Sequence, residues 1–64
     1  SAPFPAGILA PLSQDETLGK MIEALRARGE IVVVDLPGHE NARHELNCDR
    51  TLVLRDGQWR VEKL

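Results

Sequence analysis

The amino-acid sequence predicts a small two-layer α/β domain, in which a β-α-β unit is followed by a C-terminal β-hairpin. Three observations support this fold class. An Asp-Gly dipeptide separates two alternating runs near the end of the chain, an amphipathic run lies between residues 13 and 29, and a β-branched apolar run follows it at once. Together these features predict about four strands and one main helix.

The residues after position 49 predict a β-hairpin. Asp56-Gly57 lies between two alternating runs, and this dipeptide favours a type I′ turn because both of its central residues need a positive φ. A two-residue turn sets the register, and directly opposed residues share a face of the sheet. A slip of one residue would place Trp59 in water, so burial and turn chemistry favour the same register. The apolar face of the hairpin is therefore predicted to consist of Leu52, Leu54, Trp59 and Val61.

One amphipathic helix is predicted between residues 13 and 29. Ser13 and Glu16 have the spacing of a capping box, in which each side chain bonds the backbone N–H of the other residue. Gly29 suits the left-handed conformation that ends many helices. Apolar residues recur at the spacing of one helical face. They are Leu18, Met21, Ile22 and Leu25.

Two further apolar runs predict strands on either side of this helix. Residues 7–10 form a short candidate strand that Pro11 closes. Residues 31–36 are apolar on both faces, which is typical of a central strand that is covered on both sides. A helix that joins two strands of one sheet in this way predicts that the strands run parallel.

This arrangement leaves one face of the sheet without a cover, because a single helix packs on only one side. We expect the connection at residues 37–48, a partner domain or a partner subunit to cover the second face. The predicted core consists of Leu18, Met21, Ile22, Leu25, Val32, Val34, Leu52, Leu54, Trp59 and Val61.

Length and composition limit the class of protein. Residues 7–64 are predicted to be one small domain, and residues 1–6 a linker in which Ser1 and Ala2 are remnants of cloning. The chain begins without Met, which favours a C-terminal fragment of a longer protein. A net charge of −2 argues against nucleic acid or an anionic membrane as partner. The single cysteine and the absence of an apolar run of about 18 residues predict a cytoplasmic location.

Three residues in the last third contain the atom types that bind zinc: His39, His44 and Cys48, with Asp35 and Asp49 nearby. Their spacing matches no common zinc finger, so a loop with a capping histidine and a packed thiol is the preferred interpretation. A nucleophilic Cys48 would need a lowered pKa and an oxyanion site, and the sequence supplies neither.

Other polar residues have simple structural interpretations. Pro37-Gly38 predicts a turn rather than a phosphate loop, because one glycine lacks the context of such a loop. Arg50, Arg55 and Arg60 are predicted to form a solvated face of the hairpin. No catalytic, cofactor-binding or metal-binding residue is predicted.

Several peptides resemble the extreme C-terminus of the regulatory subunit of ATP phosphoribosyltransferase, the histidyl-tRNA synthetase-like protein of histidine biosynthesis. The resemblance covers roughly residues 7–64. It implies a catalytically silent protein that assembles with the short-form catalytic subunit, in a complex that joins ATP to phosphoribosyl pyrophosphate and is inhibited by histidine. No binding residue of that family maps onto a position of this sequence. The matching peptides are Leu36–Glu40, Cys48–Val53, Asp56–Leu64, and Leu25–Gly29 leading into Val32-Val33.

Three functional hypotheses follow, of which the first is preferred. It is a non-catalytic interaction domain in a hetero-oligomer with the catalytic subunit and the rest of the regulatory subunit, with no cofactor. The second is a nucleic-acid module similar to the anticodon-binding domain of a class II aminoacyl-tRNA synthetase. The acidic balance and the absence of exposed aromatic residues argue against it. The third is a small redox or metal module built on Cys48 and the two histidines.

Overall fold

The computed structural model describes residues 6–38 and 47–64, which form one helix and a single four-stranded mixed sheet. The strand order is β2-β1-β3-β4. Strand β1 pairs in parallel with β2 and with β3, whereas β3 and β4 are antiparallel. The fold class predicted from the sequence is therefore confirmed. The elements are β1 (Gly7–Pro11), α1 (Glu16–Ala27), β2 (Val32–Asp35), β3 (Cys48–Arg55) and β4 (Gln58–Lys63).

The central strand of the parallel half is β1, not β2. Ile8 and Ala10 have no exposed surface, and Leu9 is also buried. Strand β2 lies at the edge of the sheet, so the prediction of a central strand at residues 31–36 is wrong. The physical reason is that apolar residues on both sides of a strand report which faces are covered. They do not report whether both backbone edges are paired, and β2 pairs with β1 alone in the described parts of the chain.

The helix is capped two residues later than predicted, at Asp15 instead of Ser13. Asp15 is the N-cap residue, and its carboxylate accepts hydrogen bonds from the amide of Thr17 at 2.8 Å and from the hydroxyl of Thr17 at 2.7 Å. The Ser13 hydroxyl instead accepts from the Asp15 amide at 3.1 Å, so the capping box of Ser13 and Glu16 is a wrong prediction. A carboxylate at the N-cap satisfies the free amides and also suits the positive end of the helix dipole.

The end of the helix agrees with the sequence. Gly29 has a φ of +92°, and its amide donates to the Arg26 carbonyl at 3.0 Å. The Glu30 amide donates to the Leu25 carbonyl at 3.1 Å. This pair of bonds is a Schellman motif, which turns the chain sharply into β2.

The hairpin has the predicted register. Asp56 and Gly57 have φ values of +49° and +76°, as a type I′ turn requires. Leu54 lies opposite Trp59 and Leu52 opposite Val61. The local turn chemistry therefore fixes the pairing of the last two strands.

Helix α1 crosses its face of the sheet diagonally. Near its start, the Trp59 indole N–H on β4 donates to the Thr17 hydroxyl at 3.1 Å. Near its end, the Arg26 guanidinium donates to the Val32 carbonyl on β2 at 2.8 Å. A diagonal helix of 12 residues is about 18 Å long, so it crosses the four strands without covering their full length. Two corners of the helix face are therefore exposed.

This diagonal accounts for Val34 and Val61, two core predictions that are wrong, because both lie towards the uncovered corners. Leu18, Leu25, Val32 and Leu52 are buried with Ile8 and Ala10, and Met21, Ile22 and Trp59 pack against them partly buried. Val34 is half-buried, whereas Leu54 and Val61 are exposed although they share the face of Leu52. The pattern of alternation identified the face correctly, but the length and path of the helix decide how much of that face is covered.

Candidate interaction surfaces

Three exposed leucines lie at or just beyond the carboxyl ends of the parallel strands. Leu12 and Leu36 directly follow Pro11 and Asp35, which are paired across β1 and β2. Leu54 on β3 is level with Leu12 if the register of β1 and β3 continues for three more residues. We call Leu12, Leu36 and Leu54 the leucine edge.

The leucine edge is unusually exposed for apolar side chains. Leu12 is 59%, Leu36 48% and Leu54 53% exposed. A single exposed leucine is ordinary on a protein surface, but three exposed leucines at the same end of neighbouring strands make up an exposed apolar edge. Trp59, half-buried opposite Leu54, extends this patch onto β4. The arrangement is suited to contact with another protein surface.

The sheet face opposite the helix has a mixed character. Ile31 is exposed at the start of β2, and Val33 and Val53 are half-buried. Leu9, however, is only 4% exposed, so this face is not bare throughout. The prediction that residues 37–48 or a partner cover this face falls largely on residues 39–46, which lie outside the described residues.

The amino end of the parallel strands is closed by Arg50. Its guanidinium bonds the Glu30 carboxylate at 2.9 Å, the Asp49 carboxylate at 3.0 Å and the Ala6 carbonyl at 3.1 Å. These contacts connect the start of β3 with the start of β1 and with the joint between α1 and β2. The hydrogen bond from Arg50 lowers the pKa of Glu30, and the bonds to Glu30 and Asp49 raise the pKa of Arg50.

Arg50 was predicted to be solvated, and this prediction is wrong. Only about a quarter of its side chain is exposed, at 28%. The alternation places Arg50 on the same face as Leu52, so a long side chain at the end of that face reaches back across the strands. Arg55 does lie at the surface, where it forms an exposed ion pair with Glu62 at 3.0 Å.

Cys48 is a packed thiol at this same amino end. It lies opposite Gly7, and a Cβ atom built on Gly7 would come within 3.3 Å of the Cys48 Sγ. Burial and the charge of Asp49 raise the pKa of the Cys48 thiol. A raised pKa leaves less thiolate at neutral pH, which is the opposite of what a nucleophilic cysteine requires.

From the sequence, a loop with a capping histidine and a packed thiol is preferred to a zinc site of His39, His44 and Cys48. His39 and His44 lie outside the described residues. Among residues 6–38 and 47–64, no group of three or more His, Cys, Asp or Glu side chains has the geometry of a metal site. Within the same residues, no helix is long and apolar enough to cross a membrane.

A shallow depression at the start of α1 has a structural explanation. Its lining includes Ser13, Asp15, Glu16 and Lys20. The pKa of Asp15 is lowered chiefly by the hydrogen bonds from Thr17, so its charge is explained by helix capping. The depression therefore offers mixed charges with roles in the fold, and it does not assemble a catalytic group.

The elements and surfaces described above define a small α/β domain. Residues 5–62 match the model of the family described as the ATP phosphoribosyltransferase subunit HisZ C-terminal domain. The chain belongs to this family, which confirms the resemblance seen in the sequence.

Curated relatives agree with the family match. The chain is 50% identical over all of its 64 residues to an ATP phosphoribosyltransferase regulatory subunit of Azoarcus sp. strain BH72, of which it covers 17%. It is 53% identical over 86% of its length to the regulatory subunit of Burkholderia cenocepacia strain HI2424, of which it covers 14%. It is 52% identical over 89% of its length to that of Nitrosospira multiformis, of which it covers 15%. The chain thus spans 14–17% of the length of these relatives.

Proposed function

We propose that this chain is a non-catalytic domain that supports assembly and regulation of the ATP phosphoribosyltransferase complex, at the first step of histidine biosynthesis. In this proposal residues 7–64 act as one domain in the cytoplasm, and the chain supplies no catalytic, cofactor-binding or metal-binding residue. Its partners are the catalytic subunit and the rest of the regulatory subunit in a hetero-oligomer, without nucleic acid or membrane. The relatives carry the name of the regulatory subunit of that enzyme, which supports the assignment.

The leucine edge is the observation that carries this proposal. An apolar patch of this kind is stabilised when it is removed from water, with roughly 25 cal/mol for each Å² of apolar surface buried. The fold does not need these leucines for its own core, since Ile8, Leu18 and Leu52 already fill it. Exposed leucines that the core does not use are best explained by contact within a larger assembly.

A deletion separates assembly from activation. Residues 7–64 are removed from the full-length regulatory subunit, and the mass of its complex with the catalytic subunit is measured by light scattering across a concentration series. We expect weaker assembly, with turnover restored when the truncated subunit is saturating. Lost turnover in a fully assembled and stable complex would show that the domain activates directly, and the assembly proposal would then be wrong.

A triple substitution tests the leucine edge itself. Leu12→Ser, Leu36→Ser and Leu54→Ser are combined in the full-length subunit, with Leu64→Ser as the matched control. Leu64 is also exposed but lies at the opposite end of the sheet, where its amide bonds the Asp49 carbonyl at 3.0 Å. We expect the triple variant to raise the dissociation constant of the complex by about tenfold or more, as loss of a central apolar contact does, and the control to leave it unchanged. Equal affinities for both variants would remove the leucine edge from the interface.

A further inference from the structure

The two edge strands of the sheet, β2 and β4, differ in the side chains that lie beside their outward-facing backbone groups. On β4, the side chains next to the outer edge include Arg60, Glu62 and Lys63. Charged residues of this kind discourage a further strand from pairing. Strand β2 reads Val-Val-Val-Asp and carries no charge before its last residue. Its edge therefore lacks the protection that β4 has.

The register identifies which groups of β2 face outwards. The Ile8 amide donates to the Ile31 carbonyl at 2.8 Å, and Ile8 is level with Val32. In a parallel ladder, alternate residues of a strand direct their backbone groups to the same neighbour. Residues 31, 33 and 35 therefore direct their backbone groups to β1, and Val32 and Val34 direct theirs to the free edge.

One of these outward groups is satisfied by a side chain. The Arg26 guanidinium donates to the Val32 carbonyl at 2.8 Å. A long arginine side chain is a reversible cap, because it can withdraw when a better-placed backbone donor arrives. The N–H and C=O of Val34, next along the edge, are not bonded by any described residue. The edge is thus capped at the Val32 carbonyl and available at Val34.

We propose that the outer edge of β2 is a strand-addition site, which pairs with an extended segment of the regulatory subunit outside this chain. An unpaired strand edge is complementary to another extended backbone, because only a strand offers donors and acceptors at the matching spacing. The edge also ends at Leu36, so a strand added there would lie beside the leucine edge. This inference rests on the proposed function, since it requires the domain to belong to a longer regulatory subunit.

The size of the edge favours a tethered segment over a second copy of this chain. Strand β2 has four residues, which offer few hydrogen bonds and far less area than the roughly 1,600 Å² of a standard interface between separate proteins. A segment of the same polypeptide pairs at an effective concentration of about millimolar and needs no such area. The relatives provide that polypeptide, since this chain spans only 14–17% of their length.

Amide hydrogen exchange in the full-length regulatory subunit, without the catalytic subunit, tests this inference. Val33 is the internal reference because its amide faces β1. We expect the Val34 amide to exchange within about tenfold of the Val33 rate, as a paired group does. A Val34 amide that exchanges a hundredfold faster than that of Val33 would overturn the proposal. This measurement requires no variant and no complex, so its failure is distinct from failure of the assembly proposal.

A matched pair of proline substitutions tests whether the added strand pairs with the edge of β2 and not with the edge of β4. Val34→Pro removes an outward N–H and keeps the hydrogen bonds to β1, which is the position in a sheet where proline is tolerated. Val61→Pro is the control, because alternation from the Leu64–Asp49 bond directs the Val61 N–H to the outer edge of β4. We expect Val34→Pro to accelerate exchange at least tenfold in one segment outside this domain, and Val61→Pro to leave that segment unchanged. The proposal would be contradicted if Val34→Pro accelerated amide exchange nowhere outside this domain. It would also be contradicted if Val34→Pro halved the mass of the regulatory subunit in solution, because that result would indicate that β2 pairs with a second copy.

Discussion

The two ends of the parallel strands are built in opposite ways. At the amino end, Arg50 connects Glu30, Asp49 and Ala6 across three segments of the chain. At the carboxyl end, the leucine edge exposes about half of each side chain. One end uses its side chains within the domain, and the other presents them outwards. Side chains that are bonded within the domain and side chains that are exposed therefore lie at opposite ends of the strands.

The diagonal path of α1 leaves one corner of the sheet uncovered at each end of the strands. The helix covers the centre of the sheet and the corners near Trp59 and Val32. The positions it leaves uncovered include Leu36 at the end of β2. A helix parallel to the strands would bury a different set of residues, so the exposure of Leu36 follows from the path of the helix.

The largest expected effect contrasts two leucines on one strand face. Leu52→Ala removes a side chain that is 2% exposed, and we expect it to lower the free energy of unfolding by about 2–5 kcal/mol. Leu54→Ala removes a side chain of the leucine edge, and we expect a change below about 0.5–1 kcal/mol. Urea denaturation of both variants measures the two values. Similar losses would mean that the carboxyl end is covered within the domain, and the contrast between the two ends would fail.

A smaller effect is expected at Gly7, on the amino end. A Cβ at this position would lie 3.3 Å from the Cys48 Sγ and 3.4 Å from the Ile31 carbonyl oxygen. Gly7→Val therefore overpacks the joint, and we expect it to destabilise the domain by about 1–3 kcal/mol.

Gly19 supplies the control for this substitution. It lies within α1 with no atom within 4 Å of an added Cβ. Gly19→Ala should stabilise the domain by about 0.5–1 kcal/mol, because alanine favours the helix more than glycine does. Thermal melts of both variants show whether each substitution stabilises or destabilises the domain. A stabilising effect of Gly7→Val would show that the amino end is loosely packed.

The features that the sequence predicted correctly are those set by local chemistry. The type I′ turn at Asp56-Gly57 needs only its two residues and determines the whole hairpin register. Gly29 likewise ends the helix through bonds within a few residues. The family resemblance was also confirmed. It could be seen in the sequence because the matching peptides are contiguous.

The features that sequence reasoning missed depend on contacts between distant segments. The central position of β1 arises because β3 pairs with it, and no local signal at Gly7–Pro11 reports that pairing. The role of Arg50 depends on Glu30, which is twenty residues away. The exposure of Val61 depends on where the helix crosses the sheet. Alternation identifies faces, but coverage of those faces is decided by tertiary packing.

Acid should weaken the ion pair at the amino end. The hydrogen bond from Arg50 lowers the pKa of Glu30 in the folded state below its ordinary value of 4.5. The stabilisation is therefore fully present above pH 4.5 and is lost as pH falls through the lower folded value. Glu30→Gln should lower the melting temperature at pH 7 and should lessen its decline below pH 4.5.

The ion pair of Arg55 and Glu62 is the matched control for this pH dependence. It is exposed on the hairpin and connects neighbouring strands only. The pKa of Glu62 is also lowered, chiefly by its hydrogen bond from Arg55, so Glu62→Gln should change the acid response in the same direction. We expect a smaller effect at pH 7, since an exposed pair contributes little. A larger effect from Glu62→Gln would show that Arg50 does not close the amino end.

The smallest expected effect is that of zinc. The amino end is closed by an ion pair and a packed thiol, and Cys48 lies beside Gly7 with a raised pKa that disfavours the thiolate needed to bind metal. We expect excess zinc, and then a chelator, to change the melting temperature of the full chain by no more than a few degrees. Cys48→Ser with and without zinc is the control. A zinc-dependent rise in the melting temperature that Cys48→Ser abolishes would support a metal site of His39, His44 and Cys48. The reason is that a ligand stabilises the folded state when it binds that state more tightly than the unfolded state.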